Sequence, residues 1–530
     1  MNESERRSLV AAAEFGRKRA VSSAGGVAIT SSPIATRVAV ECLRSGGNAT
    51  DAALAASAAQ TVVEPHMTTI TGVLGMLHHA AATGEVTYVN GNLNAPLAPL
   101  QGFRAADLEG GRGVGVGGWI AAFEASRARH GSMSRDALLA PAIELARDGF
   151  EIYPFLYGMM FEQIAPLGRS AVGRDIYFAD GALKSPGQMI VQRDAADTLE
   201  RFAADGPEPF YRGEFAKRFV DVVRGAGGIL TMEDLDHYEV RWMEPVRGTY
   251  RGLEVVAAPP PDNGGAHIIE ALNMIELLDL PGQGRSTESI DTLAQMMLIT
   301  ESVKAEGAKQ NDPASHELPI EVILSKEYAR ARLSLLRMSI PMELKADPLP
   351  GSNHVTVVDA AGNAASVLHS CMAMPWSNGL FVDGVSICAG GGHFTRTMPL
   401  PGNRISSYGA PNMVRQDGVP LLVSGSPGVG LLQAIVQNIV NIVDFGDDIE
   451  TSVHRPRFGS VYLRGQMIEA DFDDSLIAGL RELRMPLEVV NPWSFHNGTF
   501  EGIHIDPASG VRSACADPRR AGAAETQDDR

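Results

Sequence analysis

A glycine followed by a small hydroxyl residue opens an alternating apolar run in Pro350-Gly351-Ser352-Asn353-His354-Val355-Thr356-Val357-Val358-Asp359. Glycine lets the backbone bend without a Cβ clash, so the Ser352 hydroxyl could attack the Gly351 carbonyl and break the peptide bond. Ser352 would then be a new N-terminus, and a free α-amine beside a hydroxyl is a nucleophile that carries its own general base. Gly-Ser pairs at strand starts are commonly plain turns, so this pair needs support from elsewhere in the chain. One supporting stretch is Gly425-Ser426-Pro427-Gly428-Val429-Gly430, between the strand residues Leu421-Leu422-Val423 and a helix carrying Leu431, Ile435, Ile439 and Ile442. Strand, glycine turn and helix start together aim free backbone N–H groups at developing negative charge. The same pattern also serves as a tight connection. Both readings stay open until the turn is placed relative to Ser352.

The elements that must position these residues are legible in outline. Residues 1–24 read as a charged, flexible lead-in. A strand over Val27-Ala28-Ile29-Thr30 runs into Pro33, which starts a helix from Ile34 to Arg44. Thr50-Asp51 opens an Ala-rich second helix to about Val63, suited to close packing on a sheet. Short strands are expected at Gly75–Leu77 and Val86–Val89, and helices at Ile120–Arg129 and Ser134–Asp148. The glycine-dense stretch from Gly111 to Gly118 lacks the lysine and Ser/Thr of a phosphate loop and reads as a flexible connection. A strand over Tyr250 to Val256 leads to a deeply buried helix with Ile268, Ile269, Leu272 and Ile275. Residues 306–350, with Pro313, Pro319, Pro341, Pro348 and Pro350, read as an exposed arm. Beyond Ser352 the chain turns to hairpins: His354–Val358 returns as Ala364–His369, and Asn412–Val414 returns as Leu421–Val423. His66, His354 and His369 read as structural groups rather than bases.

The totals exclude several classes. The chain has 530 residues, 45% hydrophobic and 20% charged, with a net charge of -18, which argues against nucleic-acid or anionic-membrane partners. The N-terminus lacks a secretory signal pattern and no apolar run is long enough to span a bilayer. Cys42, Cys371, Cys388 and Cys515 show no CxxC spacing and read as buried free thiols. No ligand cluster has zinc spacing. A cytoplasmic enzyme without metal or nucleotide cofactor is the expectation.

Several segments, in order, resemble the γ-glutamyltranspeptidase superfamily of N-terminal-nucleophile hydrolases, from about Gly25 to Arg519. They are Leu43 to Ala53, Ala146 to Phe150, Gly206 to Gly213, Gly227 to Leu235, Tyr250-Arg251-Gly252, Pro259 to Gly265 with His267, the His354–Asn363 hairpin, Gly425-Ser426-Pro427-Gly428 and Asp517-Pro518-Arg519. The resemblance implies an α/β fold, a four-layer αββα sandwich. It also implies a precursor that cuts itself into a large subunit, 25–351, and a small subunit, 352–530; further pairing into a homo-oligomer stays open. Carried over by position, Ser352 matches the family's threonine nucleophile and Ser370 the threonine that supports its amine. Gly428 and Val429 match the paired glycines of the oxyanion hole.

The departures concern substrate. The family's carboxylate-gripping arginine falls near Asn92, its acidic pair near Ile387-Cys388 is absent, and an asparagine falls on Met372. Ser406-Ser407 is retained beside Arg404, so the substrate-binding candidates are Asn92, Arg404, Ser406 and Ser407. Loss of the charged clamp points to a small-molecule amide other than a γ-glutamyl compound. The alternatives are a true γ-glutamyl hydrolase or transferase with Arg404 or His393 as the clamp, a carbon–carbon bond hydrolase, and an unprocessed homologue that only binds.

Overall fold

The computed structural model describes residues 1–310, 318–338, 351–372, 374–395, 398–462 and 465–528. Alternation of apolar side chains builds two seven-stranded antiparallel sheets. One runs Ala523–Thr526, Val27–Thr30, Ser352–Val358, Ala364–Ser370, Val73–His79, Val86–Gly91 and Arg241–Met243 across its width. The other runs Val21–Ser23, Arg512–Ala514, Glu501–Ile505, Val419–Gly425, Asn412–Gln416, Leu253–Ala257 and Val246–Tyr250. Their facing sides share a core that includes Ile29, Leu77, Tyr88, Val358, Met413 and Val423.

Helices cover both outer faces. Pro33–Arg44, Ala49–Val63, Trp119–His130 and Arg135–Asp148 pack with Val355, Val357 and Val367 of the first sheet. Gly264–Ile275, Ile290–Gln310 and Leu431–Val443 cover the second. The order is helix, sheet, sheet, helix, the four-layer arrangement the resemblance implied. Among the described residues no helix is long and apolar enough to cross a membrane.

Strand parity decides what Ser352 faces. Val355 and Val357 lie in the helical core, whereas Val358 lies between the sheets. Ser352, His354 and Thr356 share the parity of Val358 and point toward the second sheet, where Thr356 Oγ1 donates to Glu501 O at 2.8 Å. A methyl added at Gly425 would overlap the His354 ring, so this glycine lets the two sheets approach at the site. Gly425→Ala should therefore cost ~3 kcal/mol of stability through overpacking. The check is the urea midpoint, and an unmoved midpoint would show that the sheets part freely here.

Four expectations are corrected. Residues 1–24 are not a frayed lead-in: Glu3–Ala11 is a helix capped by Asn2, with Leu9 and Val10 buried, and Val21–Ser23 pairs with Arg512–Ala514. Its charges conceal this from composition, because Glu5 is engaged by Arg37 at 2.6 Å. Gly111–Gly118 is close-packed rather than flexible, since added methyls at Gly111, Gly117 and Gly118 would overlap Val223 O, Thr71 O and Tyr238 Oη. The Tyr250–Val256 strand is instead a hairpin of Val246–Tyr250 and Leu253–Ala257. Its two-residue turn has φ 51 at Arg251 and 82 at Gly252, the left-handed pair a tight hairpin needs. Within 306–350, Ile320–Ile323 and Lys326–Arg337 are helical, while Pro313, Pro341, Pro348 and Pro350 lie outside the described residues.

Candidate active site

Ser352 is the first residue of its strand and is 7% exposed. The Gly428 N–H donates to its Oγ at 2.9 Å, which resolves the glycine-turn question in favour of proximity. Gly428 has φ +92 and open space where a Cβ would stand, so backbone conformation and not crowding requires glycine there. Val429 and Gly430 complete the turn, and Gly430 caps the Leu431–Val443 helix. The helix start adds its positive dipole end to these amides.

Ser370 stands directly opposite Ser352 in the sheet register. Its hydroxyl donates to Gly351 O at 2.5 Å and accepts from Met372 N at 2.8 Å. The Cys371 thiol lies 3.5 Å from the same Gly351 oxygen. The Gly351 carbonyl is thus held by two donors on one side of the bond, while the Ser352 oxygen is held by an amide on the other. A Cβ on Gly351 would lie 2.7 Å from Cys371 Sγ and 2.8 Å from His66 O, so only glycine fits.

The four substrate candidates form a second group. Buried Asp262 accepts from Tyr88 Oη at 2.6 Å, Asn90 Nδ2 at 2.5 Å, Asn92 Nδ2 at 2.8 Å and the Ser407 hydroxyl. Burial lifts its carboxyl above the usual aspartate value against the pull of these donors. Ser406 Oγ accepts from Asn263 Nδ2 at 2.7 Å. The Arg404 guanidinium is buried and donates to Asn92 O at 2.6 Å, Tyr238 Oη at 2.5 Å and Glu239 O, so its bonded donors serve two backbone carbonyls and a tyrosine hydroxyl. Asn92 and Ser407 are likewise engaged with Asp262.

Register relates the two groups. Ser352 opposes Ser370, Ser370 opposes Val73, and Gly91, the residue before Asn92, pairs with Leu74. Three strand spacings put Asn92 about 14 Å from Ser352 in the sheet plane. Between them lies an apolar cluster that includes Val73, Leu93, Met372, Cys388, Phe394 and Ile405.

The histidines are buried packing groups. His354 Nε2 is hydrogen-bonded to Ser366 Oγ at 3.0 Å, and His369 Nε2 to Gln60 Oε1 at 2.8 Å. Burial lowers both to about 3 and keeps them neutral. His66 is buried against Phe155 and Trp376 and is also held neutral by burial. Among the described residues no cluster of three or more His, Cys, Asp or Glu is placed to hold a metal ion. Sequence reasoning missed Cys371, Asp262, Glu64 and Arg520. Position offered a signal for three of them: Cys371 follows Ser370, Asp262 lies inside the matched Pro259–Gly265 segment, and Arg520 follows the matched Asp517-Pro518-Arg519.

A four-layer αββα sandwich with a hydroxyl at the head of a central strand and an amide turn from the facing sheet defines the N-terminal-nucleophile hydrolase class. Within it, the γ-glutamyltranspeptidase family model matches residues 35–527, and the chain belongs to that family of amide-hydrolysing and acyl-transferring enzymes. The acylase ACY 1 proenzyme of Pseudomonas sp. (strain SE83) is 30% identical over 487 residues, covering 86% of this chain and 85% of that protein. The glutathione hydrolase proenzyme of Pseudomonas sp. (strain A14) is 31% identical over 476 residues, covering 83% and 82%. Cephalosporin acylase from Bacillus halodurans superposes with TM-score 0.85 at 26% identity, covering 96% of this chain and 97% of that one.

Proposed function

We propose that the chain is a proenzyme that cleaves its own Gly351–Ser352 bond and then hydrolyses small amides bearing an uncharged acyl group. The observation that carries this reading is the 2.9 Å bond from the Gly428 amide to Ser352 Oγ, opposite the Ser370 donation to Gly351 O. In the first reaction Ser352 Oγ attacks the Gly351 carbon, and the Ser370 hydroxyl and Cys371 thiol stabilise the oxyanion. The hydroxyl proton passes to the departing Ser352 nitrogen, which becomes the α-amine, and water hydrolyses the ester to release Gly351 as a carboxylate. In turnover the α-amine takes the Oγ proton and returns it to the leaving amine. The Gly428 and Val429 amides receive the substrate oxyanion, and water hydrolyses the acyl-enzyme. The proenzyme descriptions of both Pseudomonas relatives support the processing step.

Intact-mass analysis of purified protein tests it. Two fragments meeting between Gly351 and Ser352 are expected. A single full-length chain with no turnover of any amide would overturn the proposal in favour of a binding homologue.

A further inference from the structure

At the Ser352 carbonyl stands a buried ion pair that the mechanism above does not use. Arg520 is 1% exposed. Its Nη1 donates to Ser352 O at 2.9 Å, and its Nη2 donates to Glu64 Oε1 at 3.0 Å and to Asn353 Oδ1. Its guanidinium also lies over the Phe155 and Phe495 rings, at 5.8 and 5.6 Å. Both partners are rigidly mounted. Glu64 Oε2 accepts from Gln60 Nε2 at 2.8 Å, and Gln60 in turn holds His369. Arg519, the preceding residue, is locked to Glu469 at 2.5 Å and to Asp517 at 3.2 Å.

We propose that Arg520 is the positioning residue for Ser352, fixing its carbonyl so that Oγ stays on the Gly428 amide, and that the Arg520–Glu64 charge balance sets the protonation of the Ser352 α-amine. This rests on the reading of Ser352 as the new N-terminus. The amine belongs to the same residue as the carbonyl Arg520 grips, so the guanidinium lies within the range where a like charge disfavours an ammonium ion. Glu64 offsets that effect. Among the described residues, the other titratable groups near Ser352 and this pair include its strand neighbour His354, His369 on the return strand, His66 after the Ala49–Val63 helix, Glu501, Cys371, and Tyr153, whose phenol burial keeps protonated. The three imidazoles are neutral, and burial raises the Glu501 carboxyl to about 8, so it carries a proton at neutral pH. Arg520 and Glu64 are the charged pair beside the amine, and Glu501, on which Arg520 and Glu64 act in opposite directions, shifts the same way as the amine in each charge variant.

The signs are opposite, and a merely structural role does not produce that. A free α-amine titrates near 7.7–8.0. Arg520→Gln removes the repelling cation and exposes Glu64, so the amine holds its proton to higher pH. Glu64→Gln leaves the cation unbalanced, so the amine releases its proton at lower pH. The probe is p-nitrophenyl butyrate, an activated ester, with acylation of the small fragment followed by mass against pH. The acid-limb midpoint should rise by about one unit in Arg520→Gln and fall by a similar amount in Glu64→Gln. Arg520→Lys should keep the wild-type midpoint but acylate about fivefold more slowly at its plateau, because an ammonium cannot reproduce the fork that spans three acceptors. If Arg520→Gln fails to cut itself, the other two variants decide. Midpoints that do not move in Glu64→Gln, or that move in the same direction in both charge variants, overturn the inference. A wild-type chain that is uncut and unacylated instead overturns the underlying reading of Ser352.

Discussion

Ser352→Ala should leave one uncut chain of 530 residues that turns over neither amides nor activated esters, a loss on the order of 10⁵-fold or more in kcat/KM. The substitution removes the attacking oxygen, with the bond it accepts from the Gly428 N–H, and leaves the backbone contacts that support the strand. Ser352 keeps its register opposite Ser370, and its carbonyl keeps the Arg520 bond, because both contacts are made by backbone. The folded state should therefore survive, and a thermal midpoint within a few degrees of the wild-type protein separates chemistry from misfolding. Ser370→Ala is the graded companion. It deletes the donor to Gly351 O and should slow processing by about 10²-fold without abolishing it. A Ser352→Ala protein cut at the wild-type position would show that another group attacks the Gly351 carbonyl.

The parts of this site that sequence reveals are those held together by local pattern. The alternation from His354 to Val358, a five-residue turn and the return to His369 define the Ser352 hairpin, and the structure extends it by only a few residues. The glycine turn before Leu431 is legible for the same reason: strand, glycine and helix periodicity all fall between Leu421 and Ile442. Its place beside Ser352 is not, because residues 352 and 428 meet only through sheet-to-sheet packing. Arg520 is further from reach, joining residues 64, 353 and 520 in one buried cluster. The substrate group is a subtler case. Asn92, Arg404 and Ser407 are drawn together as position matching suggests, yet the buried Asp262 carboxylate and the Asn92 carbonyl engage their donors. Sequence reports that donors exist, while their availability depends on which acceptors the fold buries with them.

That occupancy has a consequence for substrate choice. γ-Glutamyl-p-nitroanilide and butyryl-p-nitroanilide share the same leaving group and acyl chain length; the first adds an α-carboxylate and an α-amino group. To bind those charges the site must supply partners. Arg404 is turned to backbone carbonyls and the Tyr238 hydroxyl and Asn92 to Asp262, and the Met372 and Cys388 positions belong to an apolar cluster with Val73 and Phe394 beside the Ser370 row. A buried charge without a partner is costly, and each charged hydrogen bond not formed forfeits about 1.5–3 kcal/mol. Two such losses put the butyryl compound ahead by about 10³-fold in kcat/KM. Met372→Asn should narrow that ratio by restoring a polar partner next to Ser370. Preference for the γ-glutamyl compound would overturn the uncharged-acyl reading while leaving self-cleavage intact. It would mean that binding reorganises the Asp262 cluster and frees its donors, at a cost the two charges of the substrate must exceed.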